Sequence, residues 1–186
     1  NTSLRVDQII PSKSDNLVGY WRMDGNWNDS AGGNDGVANA DATFVSTSVV
    51  GTNSGFFGGI GDSVDIGDPD SLKISGNITV SAWLKFSEDL NNRPIVSRWG
   101  SAESYSLSVD VFDSNKILFC IRVSNVNKCA TSSNTYNDGQ WHLATGVFDG
   151  ANVRLYIDGG GEAVTGEATA GPIDTPATNV RISGYN

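Results

Sequence analysis

The sequence predicts an all-β domain built from antiparallel strands. Its apolar residues are mostly Val, Ile, Phe, Trp and Tyr in short runs, and these residue types favour half-buried pleated surfaces. Asn, Asp, Ser, Thr and 22 Gly fill the segments between the runs, which is a composition typical of turns. No segment of adequate length carries a helical period. Many short strands separated by turns are typical of a sandwich or jelly roll.

The predicted strands follow one another from Leu17 onward. They cover residues 17–23, 56–67, 78–86, 94–99, 104–112, 116–123, 128–133, 140–148, 153–158 and 179–183. Because successive side chains of a strand point to opposite faces, alternation separates core positions from outer ones. The predicted core positions are Val80, Ala82, Leu84 and Phe86, then Tyr105, Leu107, Val109 and Val111, then Ile117, Phe119, Ile121 and Val123.

The alternate positions of the same strands predict a polar outer face on one sheet. Its members are Trp83, Lys85, Ser106, Ser108, Asp110 and Arg122. An aromatic ring, hydroxyls and a bidentate cation suit a sugar ligand, although an ordinary hydrated sheet face has the same composition. Trp99, in a glycine-rich turn, and Tyr136, at a strand end, are further candidates, and Trp99 has packing under a loop as its alternative. The candidate carbohydrate-binding residues are Trp83, Trp99, Asp110, Arg122 and Tyr136.

The chain is strongly acidic. Its formal net charge is −9 at pH 7 and its pI is near 4.4. Such a surface repels nucleic acid and anionic membranes, so neither is expected as a partner. No apolar stretch approaches the length of a membrane span. Acidic loops instead suit divalent cations and neutral, hydroxyl-rich ligands.

The two cysteines, Cys120 and Cys129, flank a polar, turn-like "SNVN". In a hairpin this spacing can place them opposite each other, close enough to form a disulfide. A disulfide indicates an oxidising compartment, and the alternative is a pair of reduced thiols in a cytosolic protein.

The length of 186 residues suits one domain. Residues 1–16 look like an arm or linker, and residues 17–186 form the predicted domain.

Several segments taken together resemble a known family. They are "LVGYWRMDG", "NDSAGGNDGVA", "DSVDIGD", "LKISGNITVSAWLKF", "DGQWHLATGVFDGANVRLYIDG" and "VRISGYN". They are similar to the laminin-G-like, concanavalin A-like jelly roll of bacterial extracellular proteins, over about residues 17–186. The resemblance implies two packed antiparallel sheets and frequent calcium binding at one edge. It also implies a non-catalytic role in carbohydrate binding or adhesion, at the cell surface or in a larger secreted protein.

The single histidine, His142, is expected to be structural, and no catalytic residue is assigned. A general base needs an orienting partner and a group to activate, and no G-x-S-x-G motif is present. A polysaccharide lyase or glycoside hydrolase is an alternative, because some share this architecture. Such glycosidases carry two carboxylates in one strand as Glu-x-Asp-x-x-Glu. The glutamates fall in predicted loops and lack that spacing; they are Glu88, Glu103, Glu162 and Glu167.

The loop "MDGNWNDSAGGNDG" suggests a calcium site. Calcium takes six to eight oxygens from carboxylates, amides and carbonyls. By similarity to the family, Asp24 and Asp29 are the expected side-chain ligands, with Asn34 in addition. The alternative is that these residues only form turns through side-chain to backbone hydrogen bonds.

The family's usual last strand, resembling "G-x-I-D-E-V-R-I-Y", has no counterpart in this sequence. A sheet without it has an open edge of unpaired backbone groups. There are three explanations for the missing strand: the sequence is shortened, the N-terminal arm fills the gap, or a strand from another molecule fills it. The last predicts a subunit of a filament, fibre or matrix, and "SLRVDQII" has the alternation of a donated strand.

Overall fold

A computed structural model describes residues 16–59, 61–90, 93–100, 102–109, 115–160, 162–168 and 170–183. Within these residues the chain forms thirteen β-strands and one 3-10 turn, Asp70–Leu72. The strands are β1 (Val37–Asn39), β2 (Thr43–Val45), β3 (Ser54–Phe56), β4 (Ser63–Gly67), β5 (Ile78–Leu84), β6 (Arg93–Trp99), β7 (Glu103–Val109), β8 (Lys116–Val123), β9 (Val126–Thr135), β10 (His142–Phe148), β11 (Asn152–Ile157), β12 (Glu162–Ala168) and β13 (Val180–Ile182).

Two antiparallel sheets pack face to face. The larger has the order β1-β4-β13-β6-β7-β8-β9 and the smaller the order β12-β11-β10-β5, while β2 and β3 form a separate hairpin. In the smaller sheet, β12 and β11 lie over β9, β10 lies over β8, and β5 lies over β6. The prediction of an all-β, two-sheet antiparallel jelly-roll sandwich is confirmed. No described helix is long and apolar enough to cross a membrane.

The core lies between the two sheets. Its centre is β8, where Ile117, Phe119 and Ile121 are fully buried. A Cβ atom at Gly146 of β10 would lie 2.1 Å from the Phe119 ring, so only glycine lets the two sheets approach this closely. The predicted core positions of β5, β7 and β8 face this interior, and Val111 lies outside the described residues.

The predicted single outer face is wrong. Trp83 lies on β5, which pairs with β10 in the four-stranded sheet, whereas Arg122 lies on β8 of the seven-stranded sheet. The two side chains therefore lie on opposite outer faces of the sandwich. Ser106 and Ser108 are buried, and Asp110 lies outside the described residues. Alternation defines the two faces of one strand, but it does not say which sheet the strand joins.

Other sequence-based boundaries also need correction. Residues 17–23 form no strand and contribute only an isolated bridge between Trp21 and Asp29. Strands β1, β2 and β12 were not expected. Glu103 begins β7, and Glu162 and Glu167 lie in β12, so the loop prediction was wrong for these three glutamates. The β12 sequence "EAVTGEA" is poor in residue types that favour strands, which hid it.

The disulfide prediction is confirmed. Cys120 and Cys129 are directly opposite on β8 and β9, with Cα atoms 4.1 Å apart, and they form a disulfide. The connecting turn has positive φ at both Ser124 and Asn125, at 51° and 63°. Two such residues give the tight turn that matches the twist of an antiparallel hairpin.

Candidate ligand-binding cleft

A cleft of about 330 Å³ opens at one end of the seven-stranded sheet. It forms where the β6–β7 connection, the β8–β9 turn and the loop before β13 meet. Its lining residues are Ala102, Glu103, Arg122, Asn125, Asp174 and Pro176. The volume falls at the lower end of the range of small-molecule sites.

Arg122 is the electrostatic centre of the cleft. Its guanidinium contacts the Glu103 carboxylate, its Nη1 donates to Asn127 Oδ1 at 3.0 Å, and its Nε lies 3.9 Å from Asp174 Oδ2. About a quarter of each charged side chain stays exposed: 26% for Arg122, 26% for Glu103 and 28% for Asp174. The cleft thus presents cationic donors beside carboxylate acceptors, fixed in position yet open to solvent. This mixture can hydrogen-bond to neighbouring hydroxyl groups.

Backbone hydrogen bonds hold Asp174 against the β8–β9 turn. The Asp174 N–H donates to the Arg122 carbonyl at 2.8 Å, and Ile173 forms a bridge with Val123. The Asp174 carboxylate accepts the N–H groups of Ser124 at 3.1 Å and Asn125 at 2.8 Å. One acidic residue therefore joins the loop to the turn and lines the cleft.

Trp99 lies at the same end of the sheet as the cleft but is not one of its lining residues. It is the last residue of β6 and pairs in register with Glu103 of β7, whose carboxylate contacts Arg122. The Trp99 side chain is half-buried. Two of the five candidate binding residues, Trp99 and Arg122, are thus brought to the same end of the same sheet.

The remaining candidates lie elsewhere. Trp83 is 43% exposed on the outer face of the other sheet. Tyr136 belongs to the core, with its ring edge-on to His142 at a centroid distance of 4.8 Å, so it offers no free ring face for stacking. Asp110 is outside the described residues. Sequence reasoning missed Asn125 and Asp174, because only the pairing of a distant loop with the β8–β9 turn brings them together.

His142 is held between two carboxylates. Its Nδ1 lies 2.8 Å from Asp158 Oδ2 and its Nε2 lies 3.1 Å from Asp138 Oδ1. Partial burial disfavours charge on the imidazole, but the hydrogen bonds to Asp158 and Asp138 outweigh this effect and raise the pKa of His142. Both ring nitrogens are engaged, so neither is available as a base. The arrangement is that of a structural clamp between β10 and two turns.

Asp24 closes a loop. Its Oδ1 accepts the Thr52 hydroxyl at 2.7 Å, the Thr52 N–H at 3.0 Å and the Asn53 N–H at 2.9 Å. The Thr52 hydroxyl bond and the two backbone bonds lower the pKa of Asp24 to about 2. These donors connect residue 24 to the segment before β3.

Asp29 organises a second loop. Its Oδ1 accepts hydrogen bonds from the N–H groups of Tyr20 at 2.8 Å and Ala31 at 3.0 Å. Its Oδ2 accepts hydrogen bonds from the backbone N–H and the side-chain amide of Asn34. A Cβ atom at Gly32 would lie 2.4 Å from Asp29 Oδ2, so glycine is required for this turn. Burial opposes the charge, but the backbone hydrogen bonds outweigh it and lower the pKa of Asp29.

As placed, these residues do not fit a calcium site. N–H donors occupy both Asp29 oxygens and one Asp24 oxygen, and they would compete with a cation. The Asp24 and Asp29 carboxylates also accept hydrogen bonds from different segments of the chain, residues 52 and 53 for Asp24 and residues 20, 31 and 34 for Asp29. Among the described residues, no group of three or more His, Cys, Asp or Glu side chains could hold a metal ion. Calcium binding itself stays a prediction.

Comparison with known proteins extends the fold assignment. The family model Laminin_G_3, described as the concanavalin A-like lectin/glucanases superfamily, matches residues 57–186. Domain 4 of AbnA, a GH43 extracellular arabinanase from Geobacillus stearothermophilus in complex with arabinotriose, has a TM-score of 0.55 at 17% identity, over 86% of this chain and 87% of that one. Domains LG4-5 of the mouse laminin alpha1 chain have a TM-score of 0.48 at 16% identity, over 60% of this chain. This chain spans 29% of that laminin fragment. No curated protein sequence matches.

Proposed function

Because the chain belongs to the concanavalin A-like lectin/glucanases superfamily, we propose that it is a non-catalytic extracellular module that binds carbohydrate or mediates adhesion, with the cleft around Arg122 as its binding site. The observation that carries the proposal is the grouping of Arg122, Glu103 and Asp174 beside Trp99 at one sheet end. The disulfide supports an extracellular location, since such bonds persist in oxidising compartments.

The chemistry of the cleft favours a neutral oligosaccharide. Arg122 supplies N–H donors to sugar oxygens, whereas Glu103 and Asp174 accept hydrogen bonds from hydroxyls. We further propose that Trp99, which pairs with Glu103 in the sheet, contributes an aromatic surface to a sugar that extends beyond the cleft. The net charge of −9 disfavours an acidic polysaccharide. The arabinanase domain of the same fold was solved with arabinotriose, which makes a neutral oligosaccharide a reasonable first probe.

The test is calorimetric titration with arabinotriose and with the strongest ligands found on a glycan array. Arg122→Met removes the charged donors, and hydrogen bonds to charged groups contribute about 1.5–3 kcal/mol, so we expect affinity to fall by roughly 10- to 100-fold. Arg154→Met is the matched control, because Arg154 forms an ion pair with Asp149 on the other sheet. Equal affinity of the wild type and Arg122→Met would reject the cleft as the site.

The absence of catalysis is part of the proposal. Glu103 faces Arg122 as an ion-pair partner, and His142 is engaged at both nitrogens. Neither provides a free acid or base beside the cleft. Release of reducing ends or unsaturated uronates from a polysaccharide by the purified protein would favour the alternative, a hydrolase or lyase.

Calcium is a separate proposal, carried by the family resemblance rather than by the donors around Asp24 and Asp29. A thermal-unfolding temperature that rises with calcium and falls with chelator would support it. An unfolding temperature that is the same with calcium and with chelator would show that calcium does not stabilise this protein.

A further inference from the structure

The hydrogen-bond donors of Arg122 divide into two edges of the guanidinium. Its Nη1 contacts the Glu103 carboxylate and donates to Asn127 Oδ1 at 3.0 Å, so this edge is engaged within the protein. Its Nε and Nη2 make no hydrogen bond to any residue that the structure describes, and 26% of the side chain is exposed. Because the guanidinium is planar, these two donors point in parallel from the second edge. The cleft therefore presents a pair of parallel donors that a ligand can reach.

The Asp174 carboxylate is fixed in place beside Arg122. Its Oδ1 accepts the Ser124 N–H at 3.1 Å, and its Oδ2 accepts the Asn125 N–H at 2.8 Å. A carboxylate oxygen has two lone pairs, so Oδ2 keeps one acceptor position for a further donor. Arg122 Nε lies 3.9 Å from this oxygen, beyond the roughly 3.2 Å limit of an N–H···O hydrogen bond. The donor and the acceptor are thus separated by a gap that a single oxygen atom can bridge.

Only a group that both accepts and donates a hydrogen bond can bridge Arg122 Nε and Asp174 Oδ2. Arginine cannot accept a hydrogen bond and a carboxylate cannot donate one, so the bridging atom must do both. A hydroxyl does both, whereas an ether oxygen, a carbonyl and a carboxylate only accept. A hydroxyl oxygen about 2.8 Å from each atom spans the 3.9 Å gap with an angle of roughly 90° at the oxygen. The two side chains therefore select a hydroxyl over the other oxygens of a sugar.

The Nη2 donor of Arg122 adds a second oxygen to this pattern. The Nε and Nη2 donors point in parallel, so they bind two oxygens that lie next to each other. In a neutral sugar, two such oxygens are the hydroxyls of adjacent carbons. Given that the cleft is the sugar-binding site proposed for this protein, we propose that it recognises a vicinal diol. One hydroxyl bridges Arg122 Nε and Asp174 Oδ2, and the neighbouring hydroxyl accepts a hydrogen bond from Nη2.

The charges of the cleft favour a diol over a carboxylate. A carboxylate also matches two parallel guanidinium donors, but it has no proton to donate to Asp174 Oδ2. The cleft lining holds two carboxylates, Glu103 and Asp174, and one cation, Arg122, so a further negative charge is repelled. A neutral diol binds the same donors and also donates to Asp174. The ligand class is therefore neutral sugars with two unsubstituted hydroxyls on adjacent carbons, and uronates are excluded.

The first test uses the wild-type protein and ligands that differ by one hydroxyl. Calorimetric titration compares arabinotriose, and the tightest neutral glycan from an array, with deoxy analogues that each lack the same hydroxyl in every sugar residue. The control analogue lacks a primary hydroxyl, which belongs to no vicinal pair. Because hydrogen bonds to charged groups are lost, we expect removal of either member of one vicinal pair to weaken binding roughly 10- to 100-fold, and the control to stay within about threefold of its parent.

The second test replaces the acceptor. In Asp174→Asn the bridging hydroxyl has no charged acceptor, so the preference for the parent ligand over the vicinal deoxy analogue should fall by roughly fivefold or more. Asp149→Asn is the matched control, because Asp149 also accepts two backbone N–H groups, those of Ala151 and Asn152, and follows β10 of the other sheet. This control should keep the wild-type preference. The ligand comparison needs no variant, so it decides the question even if Asp174→Asn disturbs the turn.

The outcomes separate the diol proposal from the proposed function. If Arg122→Met weakens binding but every deoxy analogue binds as tightly as its parent, the cleft is the site and the diol proposal is wrong. If no probe binds, or if the wild type and Arg122→Met bind equally, both proposals fail. A uronate that binds more tightly than its neutral counterpart would also overturn the diol proposal, because a carboxylate cannot donate to Asp174.

Discussion

Breaking the Cys120–Cys129 disulfide tests the hairpin that carries Arg122. The two cysteines are nine positions apart, and the chain-entropy relation for a closed loop of this length gives about 2.6 kcal/mol of stabilisation at 25 °C. The relation assumes an unfolded chain without structure. Since the tight Ser124–Asn125 turn already favours a hairpin when the chain is unfolded, we treat this value as an upper bound and expect a loss of about 1.5–2.6 kcal/mol.

The assay is urea unfolding of three samples: the oxidised protein, the reduced protein and Cys120→Ala/Cys129→Ala. With a slope of about 2 kcal/mol per molar urea, the midpoint should fall by roughly 0.8–1.3 M in both altered samples. Cys120 is only 5% exposed, so its replacement by Ala leaves a small void, and the double variant should be slightly less stable than the reduced protein. A loss below about 0.5 kcal/mol on reduction would refute the reasoning that the disulfide restricts the unfolded chain.

Three further predictions concern buried or clamped charges. Asp68→Asn leaves the fully buried Arg98, whose Nη2 donates to Asp68 Oδ1 at 2.6 Å, without a counter-charge. Removing one partner of a fully buried ion pair costs about 3–5 kcal/mol, and the 26% exposure of Asp68 reduces this cost. We therefore expect urea unfolding to show a loss of about 2 kcal/mol in the free energy of unfolding, and a loss under about 0.5 kcal/mol would contradict this. His142→Asn should be less stable than the wild type below about pH 6.5, where the imidazole is charged in both the folded and the unfolded state. The difference in unfolding temperature between the two proteins should disappear as pH rises through the raised pKa of folded His142, and a difference that stays constant up to about pH 9 would contradict this. Asp24→Ala removes the acceptor for Thr52, so limited proteolysis should cut residues 46–53 faster than in the wild type, whereas equal cleavage would show that Asp24 does not hold this loop.

Local features of this chain could be predicted from sequence. Period-two alternation identifies the buried face of β8, because Ile117, Phe119 and Ile121 are neighbours on one strand face. The disulfide was predictable for the same reason, since a hairpin fixes Cys120 opposite Cys129 through local geometry alone. Such inferences depend on residues a few positions apart.

Long-range pairing was not predictable. Trp83 and Arg122 belong to different sheets because β5 pairs with β10, some sixty residues later, and composition carries no sign of that choice. The cleft likewise depends on Asp174 returning to the turn at Asn125, 49 positions earlier. An aspartate before Thr and Pro reads as an ordinary loop residue until that contact is known.

The acidic loops show a related limit. Asp24 and Asp29 were expected as metal ligands, and they accept N–H groups that close their loops. In a segment rich in Gly and Asn, the sequence pattern of a carboxylate that forms a turn is the same as that of a carboxylate that binds a cation. Only the positions of Thr52 and Tyr20 distinguish the two roles.

The most direct test of a ligand site around Arg122 is an NMR titration of the indole N–H signals of the five tryptophans with arabinotriose or an array-selected glycan. If the cleft binds sugar, the Trp99 signal shifts with saturation, together with the backbone amides of Glu103, Asn125 and Asp174, and the Trp83 signal on the opposite sheet stays in place. A saturable shift confined to Trp83, with the cleft amides unchanged, would contradict the proposed site.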